Sequence, residues 1–254
     1  MPKNLFIHLI FFVHIKEKQI AHDPELANKQ VDLKGAIKAI HLVPGLMALI
    51  IFSTFNNLIG GVYMTLMDPY GLTLFSVETW GLVFAVAGTG FVFGGLLIAK
   101  TGLGKNPVKT LLVALLVMAV LGALFTIREW WWLYALGMWL YMCIVPFVEA
   151  AEQTVVQRVV PLKQQGRVFG FAQSVEAAAA PLTAFAIAPL AEFFIIPYAK
   201  SEQGAQQLAP LLGHGEVRGI ALVFLGAGVI MAIMALLAFK TKSYKLLSQS
   251  YEKA

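Results

Sequence analysis

The sequence predicts an all-α membrane protein with six transmembrane helices. Hydrophobic residues make up 59% of the 254 residues and charged residues only 13%, which is about half the charged fraction of a typical soluble domain. The mean hydropathy is +0.75. The apolar residues form long blocks separated by short charged loops, and several blocks reach the roughly 20 residues that a helix needs to cross about 30 Å of hydrocarbon.

Six of these apolar blocks are predicted to be spans. Their ranges are 41–67, 80–99, 108–127, 130–152, 168–196 and 218–239, which together form a six-helix bundle over residues 41–239. The fifth span contains Pro181 and Pro189, and Pro197 follows it. At 1.5 Å per residue this span is longer than a bilayer is thick, so we expect kinks or an interfacial end. A basic tail at 240–254 closes the chain.

A short apolar segment, NLFIHLIFFVHI, precedes the first span. It is too short to cross a bilayer as a helix, and no small-residue cleavage site of a signal peptide follows it. We therefore interpret residues 1–15 as the stub of a preceding transmembrane helix and residues 16–40 as a cytoplasmic linker. A signal peptide is the alternative interpretation.

The distribution of basic residues predicts the orientation of the bundle. Fifteen of the 19 Lys and Arg residues fall on one face: before the first span, in the loops after spans two and four, and in the tail. The opposite face has Arg128, Lys200 and Arg218, together with the tryptophans at 130–132. The positive-inside rule places the basic face in the cytoplasm, and the tryptophans fit an aromatic belt at the outer interface. We expect a multi-pass protein of the plasma membrane with both basic termini in the cytoplasm.

Other classes of function lack their residue patterns. The net charge of +5 does not indicate nucleic-acid binding, because the basic residues are dispersed in loops rather than clustered in a basic patch. Cys143 is the only cysteine, so neither a disulfide framework nor a cysteine metal cluster is available. The sequence contains neither HExxH nor GxSxG, the patterns of zinc and serine active sites. We predict no enzyme activity, no metal and no cofactor.

Two loops on the predicted cytoplasmic face carry a family resemblance. GGLLIAKTGLGKNPVK, between spans two and three, resembles the second copy of the loop motif G-x-x-x-D-R-x-G-R-K of the major facilitator superfamily. The matching residues are Gly95, Lys100, Gly102 and Lys105. Ala99 stands where the motif has its acidic residue, so the charge relay of that motif is not assumed here.

The loop after span four, VVQRVVPLKQQGRVFGFAQSVEAAAAP, resembles the junction of helices ten and eleven in the multidrug and macrolide efflux branch of that superfamily. The matching residues are Arg158, Pro161, Gly166, Arg167, Phe169 and Gly170. The start of the first span and the last span with its tail are similar to helices seven and twelve of the same branch. The resemblance therefore covers essentially the whole chain.

This resemblance implies the carboxyl-terminal half of a major facilitator fold, because the family is built of two six-helix halves. The whole protein would export hydrophobic drug-like compounds in exchange for protons. Its partners would be the lipid bilayer, a small hydrophobic substrate, and either an amino-terminal half or a second copy of this chain. A fragment, a split transporter and a homodimer all remain open, and a non-transporting membrane scaffold is the alternative function.

Polar residues inside the spans are the candidate site residues, because an unpaired ionisable group in hydrocarbon is costly and usually functional. Glu176 lies near half depth in span five, close to Gln173. Desolvation disfavours the charged form of a carboxyl group at such a depth, so we predict that Glu176 exchanges protons during transport. A structural role that holds spans four and five together is the alternative.

Four further residues complete the candidate set. By the family resemblance, Asn56 and Asn57 in the first span would line the central cavity, with interhelical hydrogen bonding as the alternative. Glu149 and Glu152 lie three residues apart on one face of span four, near its cytoplasmic end. They are candidates for the proton pathway, although an ion-pair cluster with Arg158 or Arg167 is the preferred interpretation.

Overall fold

A computed structural model describes residues 33–213 and 217–254, and these ranges are helical apart from short turns. The α-helices of the described ranges are α1 Leu33–Leu42, α2 Leu46–Leu74, α3 Val77–Thr101, α4 Pro107–Leu124, α5 Trp131–Val159, α6 Leu162–Leu190, α7 Ile196–Lys200, α8 Glu202–Leu212, α9 Arg218–Lys240 and α10 Lys242–Lys253. A π-helical segment, Ala191–Ile195, joins α6 to α7. The predicted all-α fold is confirmed.

Six helical runs of the described ranges are long and apolar enough to cross a membrane. They are α2, α3, α4, α5, α9 and the continuous run from α6 to the end of α7, Leu162–Lys200. The last run changes to π-helical geometry just after Pro189, and Pro197 lies in the first turn of α7. Prolines and π-bulges are the usual causes of helix bending, so the irregularity expected for this long span has a structural basis.

Several helix bounds differ from those drawn on the sequence. The first spanning helix begins at Leu46 rather than 41, and it continues past Met67 to Leu74. The sequence beyond Met67 predicts a loop, because it contains Asp68, Pro69 and Gly71. Tertiary contacts override this local preference, because Tyr70 is completely buried and Asp68 Oδ1 accepts a hydrogen bond from Trp80 Nε1 at 2.9 Å.

Helix ends near the later loops also differ from expectation. α5 continues to Val159 instead of ending at 152, and α6 begins at Leu162 instead of 168. The end of the predicted linker forms α1, and most of the predicted tail forms α10. The stub predicted at 1–15 and residues 16–32 of the predicted linker lie outside the described residues.

Small residues allow the spanning helices to pack closely. α3 packs along α5, α2 along α6, and α4 along both α5 and α9. A Cβ atom added to Gly90 would lie 2.5 Å from the carbonyl oxygen of Trp139, and one added to Gly94 would overlap the carbonyl oxygen of Cys143. These two glycines therefore bring the backbones of α3 and α5 together, as small residues do at helix contacts in lipid.

The buried residues form two clusters, one toward each end of the bundle. The first joins Leu46 at the start of α2, Val155 near the end of α5 and Leu247 of α10. The second is rich in aromatic side chains, namely Tyr63, Tyr70, Trp80, Phe125, Tyr134 and Phe224. Ile40 of α1 also belongs to the first cluster. The lysines that flank α1, α10, the start of α2 and the end of α5 therefore lie at one end of the bundle. The side of the membrane that this end faces stays a prediction.

The terminal helix α10 lies against α2, α4 and α5 at the lysine-rich end. Leu247 is almost completely buried there. The Arg158 guanidinium, on α5, lies 4.7 Å from the centre of the Tyr251 ring on α10, within the range of a cation–π contact. The predicted tail is thus an integral part of the bundle.

Candidate functional site

A cavity of about 640 Å³ lies between α2, α5 and α6. Its wall includes Tyr63 and Met67 from the aromatic cluster and Met118 and Val156 from the other cluster. Because it borders both clusters, the cavity lies near the middle of the bundle. The six candidate pathway residues all line it: Asn56, Asn57, Glu149, Glu152, Gln173 and Glu176.

The two amide side chains occupy the α2 wall of the cavity. Both are half-buried. The side-chain nitrogen of Asn57 donates to the carbonyl oxygen of Ser53 at 3.0 Å, a bond within α2 itself. This bond therefore does not tie Asn57 to a neighbouring helix.

The carboxyl groups occupy the facing walls. Glu152 on α5 lies beside Ser53 on α2, and it is close enough to Glu176 on α6 for the two carboxyl groups to interact electrostatically. Glu149 lies on the same side of α5 and is exposed to the cavity. The consecutive helices α5 and α6 and the distant helix α2 thus bring polar groups to one place.

The pair formed by Glu152 and Glu176 is chemically unusual. Oε1 of Glu176 is buried, and it has no hydrogen-bond donor among the described residues. An ionised carboxylate can only accept hydrogen bonds, whereas a protonated carboxyl can also donate one. The two groups can therefore bond to each other only when a proton lies between them.

Apolar side chains surround these polar groups. The aromatic residues are Tyr63, Phe91, Tyr141 and Phe169, and the methionines are Met64, Met67, Met118 and Met142. Methionine side chains adapt to ligands of different shape, and the volume lies within the range of about 300–1,000 Å³ usual for small-molecule sites. The cavity therefore suits a compact organic molecule that is mainly hydrophobic.

The first loop motif forms the turn from α3 to α4. Gly102 has a φ of 69° and follows the last residue of α3, a conformation that favours glycine. Asn106 precedes the first residue of α4 and caps it, since its Oδ1 accepts a hydrogen bond from the backbone nitrogen of Lys109 at 3.0 Å. Lys100 and Lys105 are exposed, and the space around the Cα of Gly95 is open.

The second loop motif forms the turn from α5 to α6. Pro161 precedes the first residue of α6, and Gly166 is exposed.

Arg158 packs on Tyr251, whereas Glu149 and Glu152 face the cavity. The expected ion-pair cluster of these acids with Arg158 or Arg167 stays a prediction. Arg167 is half-buried near the start of α6.

Sequence reasoning missed Ser53, which is 3% exposed and lies beside Glu152. A single serine in an apolar block gives little signal by itself. The spacing of Ser53, Asn57 and Gly60 at i, i+4 and i+7 is the pattern of one helix face, and this pattern marks the cavity-facing side of α2.

Six long apolar helices, with a cavity of mixed polar and apolar lining near the middle of the bundle, indicate a multi-pass membrane protein. Residues 4–184 match the family described as Major Facilitator Superfamily, which is more than half of the chain. The chain therefore belongs to the major facilitator superfamily, whose members are transporters rather than enzymes. This match confirms the superfamily expected from the loop motifs. No curated protein and no solved structure shows a significant match to the chain.

Proposed function

We propose that this chain forms the carboxyl-terminal six-helix half of a secondary transporter that exports hydrophobic drug-like compounds in exchange for protons. One observation carries the proposal. Glu152, Glu176, Asn56 and Asn57 line the same cavity, and the rest of its wall consists mainly of apolar aromatic and methionine side chains. Such a site provides an apolar surface that can bind a hydrophobic compound and carboxyl groups that can bind a proton.

The proposed substrate class follows from the composition of the cavity wall. Burial of apolar surface contributes roughly 25 cal/mol for each Å² removed from water, so a hydrophobic compound gains binding free energy from contact with Phe91, Tyr141 and Phe169. Asn56 and Asn57 add hydrogen-bonding groups that can orient a polar part of the compound. The loop resemblance to the multidrug and macrolide efflux branch agrees with this class.

The proposed exchange for protons rests on the carboxyl pair. A proton that bridges Glu152 and Glu176 neutralises one charge, and its loss leaves two like charges close together in a medium of low dielectric constant. Such a pair favours different packing of α5 and α6 in its two protonation states. Coupling of this kind is a common role of ionisable residues within transporters.

The proposed need for a second six-helix half rests on where transport sites lie in this family. Substrates bind near the midplane, at the interface of two halves. The cavity is open to the outside of this bundle along exposed residues such as Glu149 and Gln173. A second half, either amino-terminal or a second copy of the chain, would close it. We further propose that the protein lies in the plasma membrane with the lysine-rich end in the cytoplasm, in accordance with the positive-inside rule.

Drug efflux from cells that lack their own multidrug pumps tests this proposal. We expect the chain alone to insert into the membrane without conferring efflux, and co-expression with the amino-terminal half of a related efflux transporter to restore it. The Glu176→Gln variant in the same combination should lose efflux, because it keeps the side-chain size and removes the titratable proton.

The other outcomes of this experiment have distinct meanings. Strong efflux by the chain alone would favour the homodimeric alternative. Normal membrane insertion without efflux or drug binding in any combination would contradict the transport proposal and favour a non-transporting scaffold.

A further inference from the structure

A second cavity, which we call the apolar groove, lies at the lysine-rich end of the bundle. It has a volume of about 350 Å³ and is enclosed by the first half of α2, the first turns of α4, the end of α9 and the start of α10. Its wall consists almost wholly of apolar side chains, among them Phe52, Leu111 and Leu237. The groove is comparable in size to a small-molecule site.

The apolar groove is separate from the central cavity. The two share no lining residue. On α2, the groove contacts Ala48, Ile51 and Phe55, whereas the central cavity contacts Asn56 and Gly60. Ile51 is 63% exposed and Leu237 is 53% exposed, so the groove opens toward the outside of the bundle, where lipid surrounds a membrane protein. Its natural content is therefore a hydrocarbon chain from the bilayer.

Charge at the mouth of the groove restricts the kind of lipid. Lys109 follows the lining residue Val108, and Lys242 lies between the lining residues Thr241 and Ser243. Both lysines are exposed. The neighbouring sequences 100–109 and 240–251 contain lysines and no acidic residue. The mouth of the groove is thus positively charged, which favours an anionic headgroup.

We propose that the apolar groove binds one anionic phospholipid from the leaflet on the lysine-rich side, with an acyl chain between α2, α4 and α9 and the phosphate near Lys109 and Lys242. The lipid fills the space beneath α10, whose residues Tyr244 and Leu247 form one wall of the groove. It therefore holds α10 against the bundle. This inference does not depend on the transport proposal.

Native mass spectrometry of the purified full chain tests the inference. The probes are phosphatidylglycerol and phosphatidylcholine with identical acyl chains. We expect one phosphatidylglycerol to remain bound after delipidation, and phosphatidylcholine to bind more weakly. Each of Lys109→Gln and Lys242→Gln should weaken phosphatidylglycerol binding about fivefold, since one lysine near a surface contributes about 1 kcal/mol toward anionic lipid. Lys253→Gln, at the far end of α10, is the matched control and should change nothing.

A second pair of variants tests the groove itself. Ala238 lines the groove on α9, whereas Leu236 lies on the same helix, is 53% exposed and does not line it. Ala238→Phe should fill the groove and abolish the bound phosphatidylglycerol, and Leu236→Phe should leave it bound. Equal binding of the two lipids would overturn the proposal. So would unchanged phosphatidylglycerol binding in Ala238→Phe or in both lysine variants, and the lysine variants remain informative if Ala238→Phe does not fold.

Discussion

The carboxyl groups of Glu152 on α5 and Glu176 on α6 interact electrostatically at the wall of the central cavity. Ser53 on α2 lies beside Glu152. Three helices therefore meet at one carboxyl pair, so the proton exchange that we propose for this pair would act on the packing of all three. This relationship links the proposed chemistry of the cavity to movement of the helices around it.

We predict that the two carboxyl groups share one proton at neutral pH. Infrared difference spectroscopy of the purified chain should show a carbonyl band of a protonated carboxylic acid. Substitution of either partner, Glu152→Gln or Glu176→Gln, should remove this band, because no bridging proton is then needed. Glu192→Gln is the matched control, since Glu192 is exposed and does not line the cavity. A band of full intensity in both cavity variants would show that the pair holds no shared proton.

We predict that Gly94→Ala lowers the stability of the bundle. The added methyl group would overlap the Cys143 carbonyl oxygen, so α3 and α5 must move apart at a cost of about 1–3 kcal/mol. The readout is the midpoint of thermal unfolding, followed by tryptophan fluorescence. Gly88→Ala on the same helix meets nothing within 4 Å and should be neutral or slightly stabilising. Equal midpoints for the two variants would mean that the close contact of α3 and α5 is absent in the membrane.

We predict that Gly45→Ala detaches α10. Gly45 has a φ of 87°, and an added Cβ would lie 2.5 Å from the Ser243 carbonyl oxygen and 3.0 Å from Leu247 Cβ. Trypsin should therefore cleave after Lys242 and other α10 lysines faster in this variant. Gly102→Ala carries similar backbone strain, with a φ of 69°, but meets nothing within 4 Å. If both variants were cleaved at the same rate, strain alone rather than contact with α10 would explain the effect.

The topology prediction is tested with single cysteines in a Cys143→Ser background. Lys105→Cys and Lys163→Cys should react with a membrane-impermeant reagent only from the cytoplasmic side, and Gln206→Cys only from the outside. The reason is the excess of lysine and arginine on one face of the bundle. Reaction of the cysteine at 206 from the cytoplasmic side alone would invert the proposed orientation.

The sequence was sufficient to predict the six spans, because hydropathy acts on whole blocks of residues and does not depend on their packing. It could not predict that α2 continues to Leu74, since the burial of Tyr70 and the bond from Trp80 to Asp68 arise only in the folded bundle. Helix period placed Glu149 and Glu152 on one face of α5. The sequence could not show that Glu176 approaches Glu152, because a contact between α5 and α6 depends on how the two helices pack.

The most direct test of the transport account is proton-driven accumulation of a fluorescent hydrophobic drug in proteoliposomes containing the complete transporter. An imposed proton gradient should drive accumulation by the wild type and by Glu192→Gln. Glu176→Gln should lose this accumulation but retain exchange of drug down its own gradient, because the cavity still binds drug while the shared proton is gone. Normal accumulation by Glu176→Gln with unchanged dependence on pH would contradict proton coupling at the Glu152–Glu176 pair.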